Sequence, residues 1–171
     1  MYSFWVSAPR VPSGPISTIM ATSIEPPSQR EPVSDTLSPK ARSERMSRVK
    51  AKDTKPEMKL RRLVHGLGFR YRLHRRDLPG TPDLVFPRRR AVIFMHGCFW
   101  HRHPGCGLTR MPKSRVEFWR TKLEANRERD LRHQQALAEL GWRVLVVWEC
   151  ELRDLDAVAR EVEAFLTQEE A

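Results

Sequence analysis

The sequence predicts an α/β sandwich, a sheet covered by helices, and three observations carry that expectation. WRVLVVW (Trp142–Trp148) is the strongest strand signal in the chain, a run of branched and aromatic residues. Before it lies a long, highly charged segment with apolar residues spaced along a helix. The remaining signals give the order helix, three strands, helix, strand, helix, which a sheet with helices packed on it accommodates.

The elements follow in order. Residues 1–39 hold seven of the 13 prolines among many Ser and Thr. Such a composition buries too little apolar surface to offset the entropy of ordering, so a disordered tail is expected there and a folded domain over 40–171. Asp53 or Thr54 can cap a helix whose first turn carries Pro56 and Glu57. Met58, Leu60, Leu63 and Val64 give that helix an apolar face, and Gly66 and Gly68 end it. Phe69, Tyr71 and Leu73 alternate with Arg70, Arg72 and His74, which reads as a half-buried strand with a basic outer face; His74 is expected on that face, away from any chemistry. The turn residues Pro79, Gly80 and Pro82 lead to a short strand, Asp83–Phe86. A hairpin-like turn at Arg88–Arg90 and a buried central strand at Ala91–Phe94 come next, then a loop over 98–113. Val116, Trp119, Leu123, Leu131, Leu137 and Leu140 are expected to line the long helix, which ends at Gly141. After Trp148, the residues Leu155, Val158, Val162, Phe165 and Leu166 mark a final amphipathic helix.

Charge narrows the partner. Lys and Arg number 31 against 21 Asp and Glu, for a net +10 over 171 residues. Between Lys40 and Arg76, fourteen basic residues face only Glu44, Asp53 and Glu57, so this stretch accounts for the whole excess. A polyanion is the natural partner, and nucleic acid is the commonest one. No apolar run approaches the roughly 20 residues that cross a bilayer. Met1–Val6 is too short and too weakly apolar for a secretory signal, so a cytoplasmic protein with no membrane partner is expected. The three cysteines are then reduced, and an odd number argues against a disulfide framework.

Chemistry concentrates in HGCFWHRHPGC (His96–Cys106), with three His and two Cys in eleven residues. Cys98, His103 and Cys106 have the ligand types and loop spacing of a zinc site. Cys150, just past the Trp142–Trp148 strand, can return to the loop as the fourth ligand. Four protein ligands leave no open position, so that zinc is structural. His96 and His101 remain, with Asp83 at a neighbouring strand end. An aspartate can hold a hard cation such as Mg²⁺, and a histidine can activate water or protonate a leaving group near neutral pH. Together they suit a metal-assisted phosphodiesterase.

Five stretches, SERMSRVKAKDTKPE (43–57), LPGTPDLVF (78–86), FMHGCFWHRHPGC (94–106), VEFWRTKLEANRERD (116–130) and GWRVLVVWEC (141–150), closely resemble the very-short-patch repair (Vsr) endonuclease family. The resemblance runs over about residues 42–166, in order, and excludes the Pro-rich tail. It implies a restriction-endonuclease-like fold, a PD-(D/E)XK variant with a mixed sheet flanked by helices. Pro82-Asp83 stands as the PD element, and the strand Ala91–His96 replaces the usual E-x-K. The resemblance further implies Asp83 and the Met95 main-chain carbonyl as Mg²⁺ ligands and His101 as the residue that activates water. His96 is implied to lie against the scissile phosphate or a metal-bound water. Asp130 would orient His101, and Glu57 would support the site from the first helix. Cys98, His103, Cys106 and Cys150 match the family's zinc ligands, and Phe99, Trp100 and Trp119 its intercalating rings. Two departures stand out. Met95 occupies a position where many members have Thr, and Pro104-Gly105 makes the His103–Cys106 spacing one residue longer than in some members.

The activity so implied is a nick 5′ to the T of a T:G mismatch left by deamination of 5-methylcytosine. The expected partners are double-stranded DNA and, functionally, a cytosine-5 methyltransferase, with a monomeric enzyme as the default. Two other readings compete: a related sequence- or structure-specific DNA endonuclease, and a zinc-stabilised nucleic-acid-binding module without catalysis. Asp83, His96 and His101 discriminate, because a pure binder has no use for them.

Overall fold

The computed structural model describes residues 52–168, with Ser38, Lys40, Ala41 and Glu44 as isolated positions before them. The expected tail over residues 1–39 therefore lies, but for Ser38, outside the described residues.

Helix α1 (Lys55–Gly66) begins at Thr54, not Asp53. The Thr54 hydroxyl accepts from the Glu57 N–H at 3.3 Å, and the Glu57 carboxylate accepts from the Thr54 N–H at 3.4 Å. This reciprocal capping box satisfies two of the helix's orphan donors. Strand β1 is only Arg72–Leu73, shorter than the alternation suggested. His74 takes a left-handed φ of 45°, which ends the extended run, and Leu73 stays 42 % exposed at the sheet edge. Phe69 and Tyr71 still pack on the core, from outside the ladder.

Strands β2 (Leu84–Phe86) and β3 (Ala91–His96) are joined by a 3₁₀ turn, Pro87–Arg89, with Arg90 left-handed. The long helix α2 (Val116–Glu139) leads to β4 (Arg143–Trp148), and α3 (Leu155–Thr167) is the last described element, with Asp154 capping it through the Ala157 N–H.

The four strands form one mixed sheet in the order β1-β2-β3-β4. The first two pairings are antiparallel, and β3 runs parallel to β4 from Ala91↔Arg143 to His96↔Trp148. A parallel neighbour needs a crossover, which the 24-residue α2 supplies. Period-two alternation then sorts the side chains. Leu84, Phe86, Ala91, Ile93 and Val147 join Leu60 and Val64 of α1 and Val158, Val162 and Leu166 of α3 in one core. Val85, Val92 and Phe94 form a second with Leu78 and Leu137. Each fully buried aliphatic side chain there contributes about 1.5–3 kcal/mol.

Helix α2 departs most from expectation. Leu123 and Leu137 are fully buried, but Leu131 is 57 % and Leu140 51 % exposed, and Val116 also faces solvent. The half-buried positions between the two buried leucines include Asn126, Asp130, His133 and Gln134. The inward stripe is thus apolar at two points and polar between them. Gly80, at φ +74°, brings the preceding turn against this polar stretch; a Cβ there would lie 2.8 Å from the His133 ring nitrogen.

Candidate active site and metal centre

The C-terminal ends of β3 and β4 and the start of β2 converge where the chemistry-bearing residues lie. Asp83 immediately precedes β2, and its Oδ2 accepts a 2.8 Å hydrogen bond from the Met95 N–H of β3. In a strand a residue's N–H and C=O project from the same edge, so the Met95 carbonyl leaves β3 on Asp83's side. Asp83, Met95, His96, His101 and Asp130 line one cleft of about 350 Å³. Burial raises the Asp83 carboxyl above its ordinary value, against the pull of the Met95 hydrogen bond, and the Glu57 charge adds to the rise. A half-buried carboxylate at the wall of a cleft is a natural seat for a cation. Oxygen donors from a carboxylate and a main-chain carbonyl have the hard character that Mg²⁺ requires.

His101 and Asp130 meet across the cleft, Nδ1 to Oδ2, at 2.5 Å. Burial alone would raise the Asp130 carboxyl, but the His101 hydrogen bond and charge bring it below its usual value. A carboxylate accepts, so Nδ1 carries the proton and Nε2 of a neutral ring is left as a base. His96 stacks on His101 with ring centroids 3.9 Å apart and planes 11° from parallel. Burial first, and the nearby His101 second, lower the His96 imidazole to about 4, so it is neutral at physiological pH. His96, His101 and Asp130 also stand close enough to share an ion.

Glu57 does not reach Asp83 directly. It is buried, bonded to Arg61 one turn along α1, and lies 3.3 Å from His74 Nε2. His74 stands between them: its Nε2 is 2.8 Å from Arg61 Nη2, and its Nδ1 is 4.0 Å from Asp83 Oδ1. His74 lines the same cleft, which corrects its expected place on an outer basic face. The left-handed backbone at this residue breaks the alternation that put it outside.

The second cluster sits on the same loop. Ligand atoms of Cys98, His103, Cys106 and Cys150 all lie within 4.8 Å of one another. His103 Nδ1 is 3.7 Å from the Cys98 sulfur and 3.2 Å from that of Cys150. A tetrahedron with Zn–S near ~2.3 Å and Zn–N near ~2.0 Å has edges of about 3.5–3.8 Å, so the set fits that ion. All three thiols are free of disulfides. Burial pushes the Cys98 thiol up to about 12, a value at which only a cation would hold it as thiolate. The Leu108 N–H donates to the Cys106 sulfur and lowers that thiol. Gly105, at φ +69°, turns the chain between His103 and Cys106, so the longer spacing removes no ligand.

Trp148, at the end of β4, connects the two clusters. Its ring stacks on His103 at 4.2 Å, and His96 meets it edge-on at 5.3 Å. The sequence reading gave Trp148 no part in the site, since a residue ending a strong strand signal reads as core.

Phe99, Trp100 and Trp119 form one aromatic patch outside both cores, with centroids 5.0–6.2 Å apart. Trp119 is half-buried and absent from the sheet's cores. Phe118, 45 % exposed, extends the patch, and Lys122 lies about 6 Å from the rings of Trp100, Phe118 and Trp119. The Asn126 amide donates to the Trp100 carbonyl at 3.1 Å and ties the loop to α2.

The chain is similar to known endonucleases and nicking enzymes. Residues 34–106 match the model of the family described as DNA mismatch endonuclease Vsr. The chain is 57 % identical over 126 residues to the type II nicking enzyme V.XorIIP of Xanthomonas oryzae pv. oryzae, covering 74 % of this chain and 92 % of that protein. It is 47 % identical over 120 residues to the DNA mismatch endonuclease Vsr of Escherichia coli, covering 70 % and 76 %. Identity to the type II nicking enzyme V.NmeAIP of Neisseria meningitidis is 40 % over 129 residues, covering 75 % and 91 %.

Proposed function

The chain belongs to the DNA mismatch endonuclease Vsr family, and from that premise we propose that it nicks double-stranded DNA 5′ to the T of a T:G mismatch. The observation that carries this proposal is the His101–Asp130 pair at 2.5 Å, in one cleft with Asp83 and Met95. We assign the fold to the restriction-endonuclease-like class, with Pro82-Asp83 at its PD position, over 40–171.

Asp83 and the Met95 carbonyl would hold Mg²⁺, which polarises the scissile phosphate and stabilises the charge that develops on it. Asp130 fixes the His101 tautomer, and His101 Nε2 takes the proton of the attacking water. His96, neutral through burial, can lie against the phosphate without opposing a positive charge on the stacked His101 ring. Glu57 supports the site from α1. Cys98, His103, Cys106 and Cys150 would hold a structural zinc that pins the loop.

DNA recognition divides between charge and shape. The basic excess of the N-terminal half supplies contacts to phosphates, which give affinity without sequence. Phe99, Trp100 and Trp119 would wedge into the base stack, where unstacking costs a few kcal/mol per step and less at a mismatch. A single nick needs one active site, which a monomer provides. The matching methyltransferase would create the 5-methylcytosine whose deamination yields the substrate. Among the described residues no helix is long and apolar enough to cross a membrane, and the enzyme is proposed to act in the cytoplasm on the nucleoid.

A non-catalytic binding module would gain nothing from the half-buried Asp83 or from the His101–Asp130 pair. The deciding experiment compares nicking of duplexes with T:G and T:A at one position, in several sequence contexts, with Mg²⁺ and with EDTA. Mg²⁺-dependent cutting 5′ to the mismatched T is expected. Cutting that ignores the mismatch would assign the chain to a related nuclease, and no cutting in any context would favour the binding module.

A further inference from the structure

Arg61, Glu57, His74 and Asp83 form a chain of contacts from the interior of α1 to the catalytic cleft. We propose that His74 is a positioning residue for the cation site, its Nδ1–H directed at the outer oxygen of Asp83. This inference rests on the proposal that Asp83 holds Mg²⁺.

The argument runs through donors and acceptors. Arg61 Nη2 carries two protons and accepts nothing. One goes to Glu57 Oε1, and the other points at His74 Nε2, 2.8 Å away. Nε2 must therefore accept. A proton on it directed at Glu57, which is farther at 3.3 Å, would confront the guanidinium. With Nε2 accepting, the ring's one proton sits on Nδ1, the atom that faces Asp83 Oδ1. At 4.0 Å the span is too long for a direct hydrogen bond and suits one shared water. Asp83 is then held at both oxygens, Oδ2 by the Met95 N–H at 2.8 Å and Oδ1 from His74. That leaves the remaining lone pairs directed into the cleft.

Asp53, Glu57 and His74 are themselves close enough to suggest an ion. Arg61 occupies that place instead: it bonds Asp53 Oδ1 at 2.7 Å, Glu57 and His74 at once. Arg61 is buried, 7 % exposed as a residue, so this is a built interior cation rather than a surface pair. It fixes the His74 tautomer from behind, as outer partners fix metal-site histidines elsewhere. The left-handed φ of 45° at His74 turns the ring out of the strand and into this position.

The backbone also supplies the test. Asn tolerates a left-handed φ better than most residues. Its amide nitrogen can occupy the Nδ1 position, whereas the Gln amide reaches the Nε2 position and can present its carbonyl oxygen to Arg61 there. His74→Asn therefore keeps the donor toward Asp83, and His74→Gln loses it while keeping an acceptor for Arg61. Mn²⁺ binding is measured by electron paramagnetic resonance on enzyme bound to an already nicked duplex, where no turnover occurs. The Mg²⁺ concentration for half-maximal single-turnover nicking of an intact T:G duplex is measured alongside. His74→Gln should weaken both about tenfold, at the low end for outer-shell partners of a metal site. His74→Asn should stay within about twofold of the wild type, and duplex affinity in EDTA should be unchanged in both. His74→Leu repeats the donorless arm should the Gln variant melt early. Equal loss in Asn and Gln, or no loss in the donorless variants, would overturn the assignment. A wild type that binds Mn²⁺ but does not nick would instead count against the proposed function and leave the His74 comparison readable.

Discussion

His96 at the end of β3 and Cys98, His101, His103 and Cys106 on the loop after it follow one another closely, yet they separate into two clusters with opposite needs. Cys98, His103 and Cys106 turn to one side and meet Cys150, and the four ligand atoms surround one point. His96 and His101 turn to the other, stack on each other, and face a cleft with Asp83 and Asp130. The first cluster spends every donor on its own closure. The second keeps His101 Nε2 and the cleft side of Asp83 directed at what enters. On the proposed function the closed set would stabilise and the open one react, and the loop's interleaving would let the first fix the geometry of the second. Trp148 is the physical link, stacked on His103 and edge-on to His96.

The largest effect that would sharpen this contrast falls on the open side. His101→Ala removes the proposed base and should slow single-turnover nicking by about 10²–10⁴-fold. Its zinc content and melting temperature should match the wild type, and a rate within tenfold of wild type would remove His101 from the chemistry. On the closed side, Cys150→Ser should release close to one equivalent of zinc per chain by elemental analysis. It should lower the melting temperature by roughly 10 °C, because ligand loss in a closed site is loss of folding energy. Well-folded wild type without zinc would break the comparison at that point. The smallest effect lies at the rim: Trp100→Ala should cut the preference for T:G over T:A about tenfold, or ~1.4 kcal/mol. Zinc should be unaffected, since the indole is no ligand. Undiminished preference would exclude the wedge.

Much of this was legible in the sequence where one physical demand acted alone. WRVLVVW became β4 with only its first residue left out, because hydrophobicity and branching agree there. The clustering of Cys98, His103, Cys106 and Cys150 was legible because thiols and imidazoles at loop spacing have few other uses. Legibility failed where polar cleft-lining positions or a backbone turn interrupted the pattern. The inward face of α2 was misread at Leu131 and Leu140 because the intervening inward positions are Asn126, Asp130, His133 and Gln134, residues that serve the cleft and its loop. An apolar stripe interrupted by polar groups looks like a shifted stripe. His74 was hidden for a related reason: alternation assigns a face only while the backbone stays extended, and φ at His74 is 45°. Glu57 was placed near the site by resemblance, but its route through Arg61 and His74 needed coordinates.

The division of labour between the two clusters is tested most directly by Asp83→Ala, with zinc content and single-turnover nicking of a T:G duplex in Mg²⁺ read on the same preparation. Asp83 touches the open cleft and no member of the closed cluster. The variant should keep one equivalent of zinc and near-wild-type duplex affinity, which Lys and Arg contacts dominate, while nicking falls below detection. Wild-type nicking rates, or zinc lost together with activity, would contradict the account.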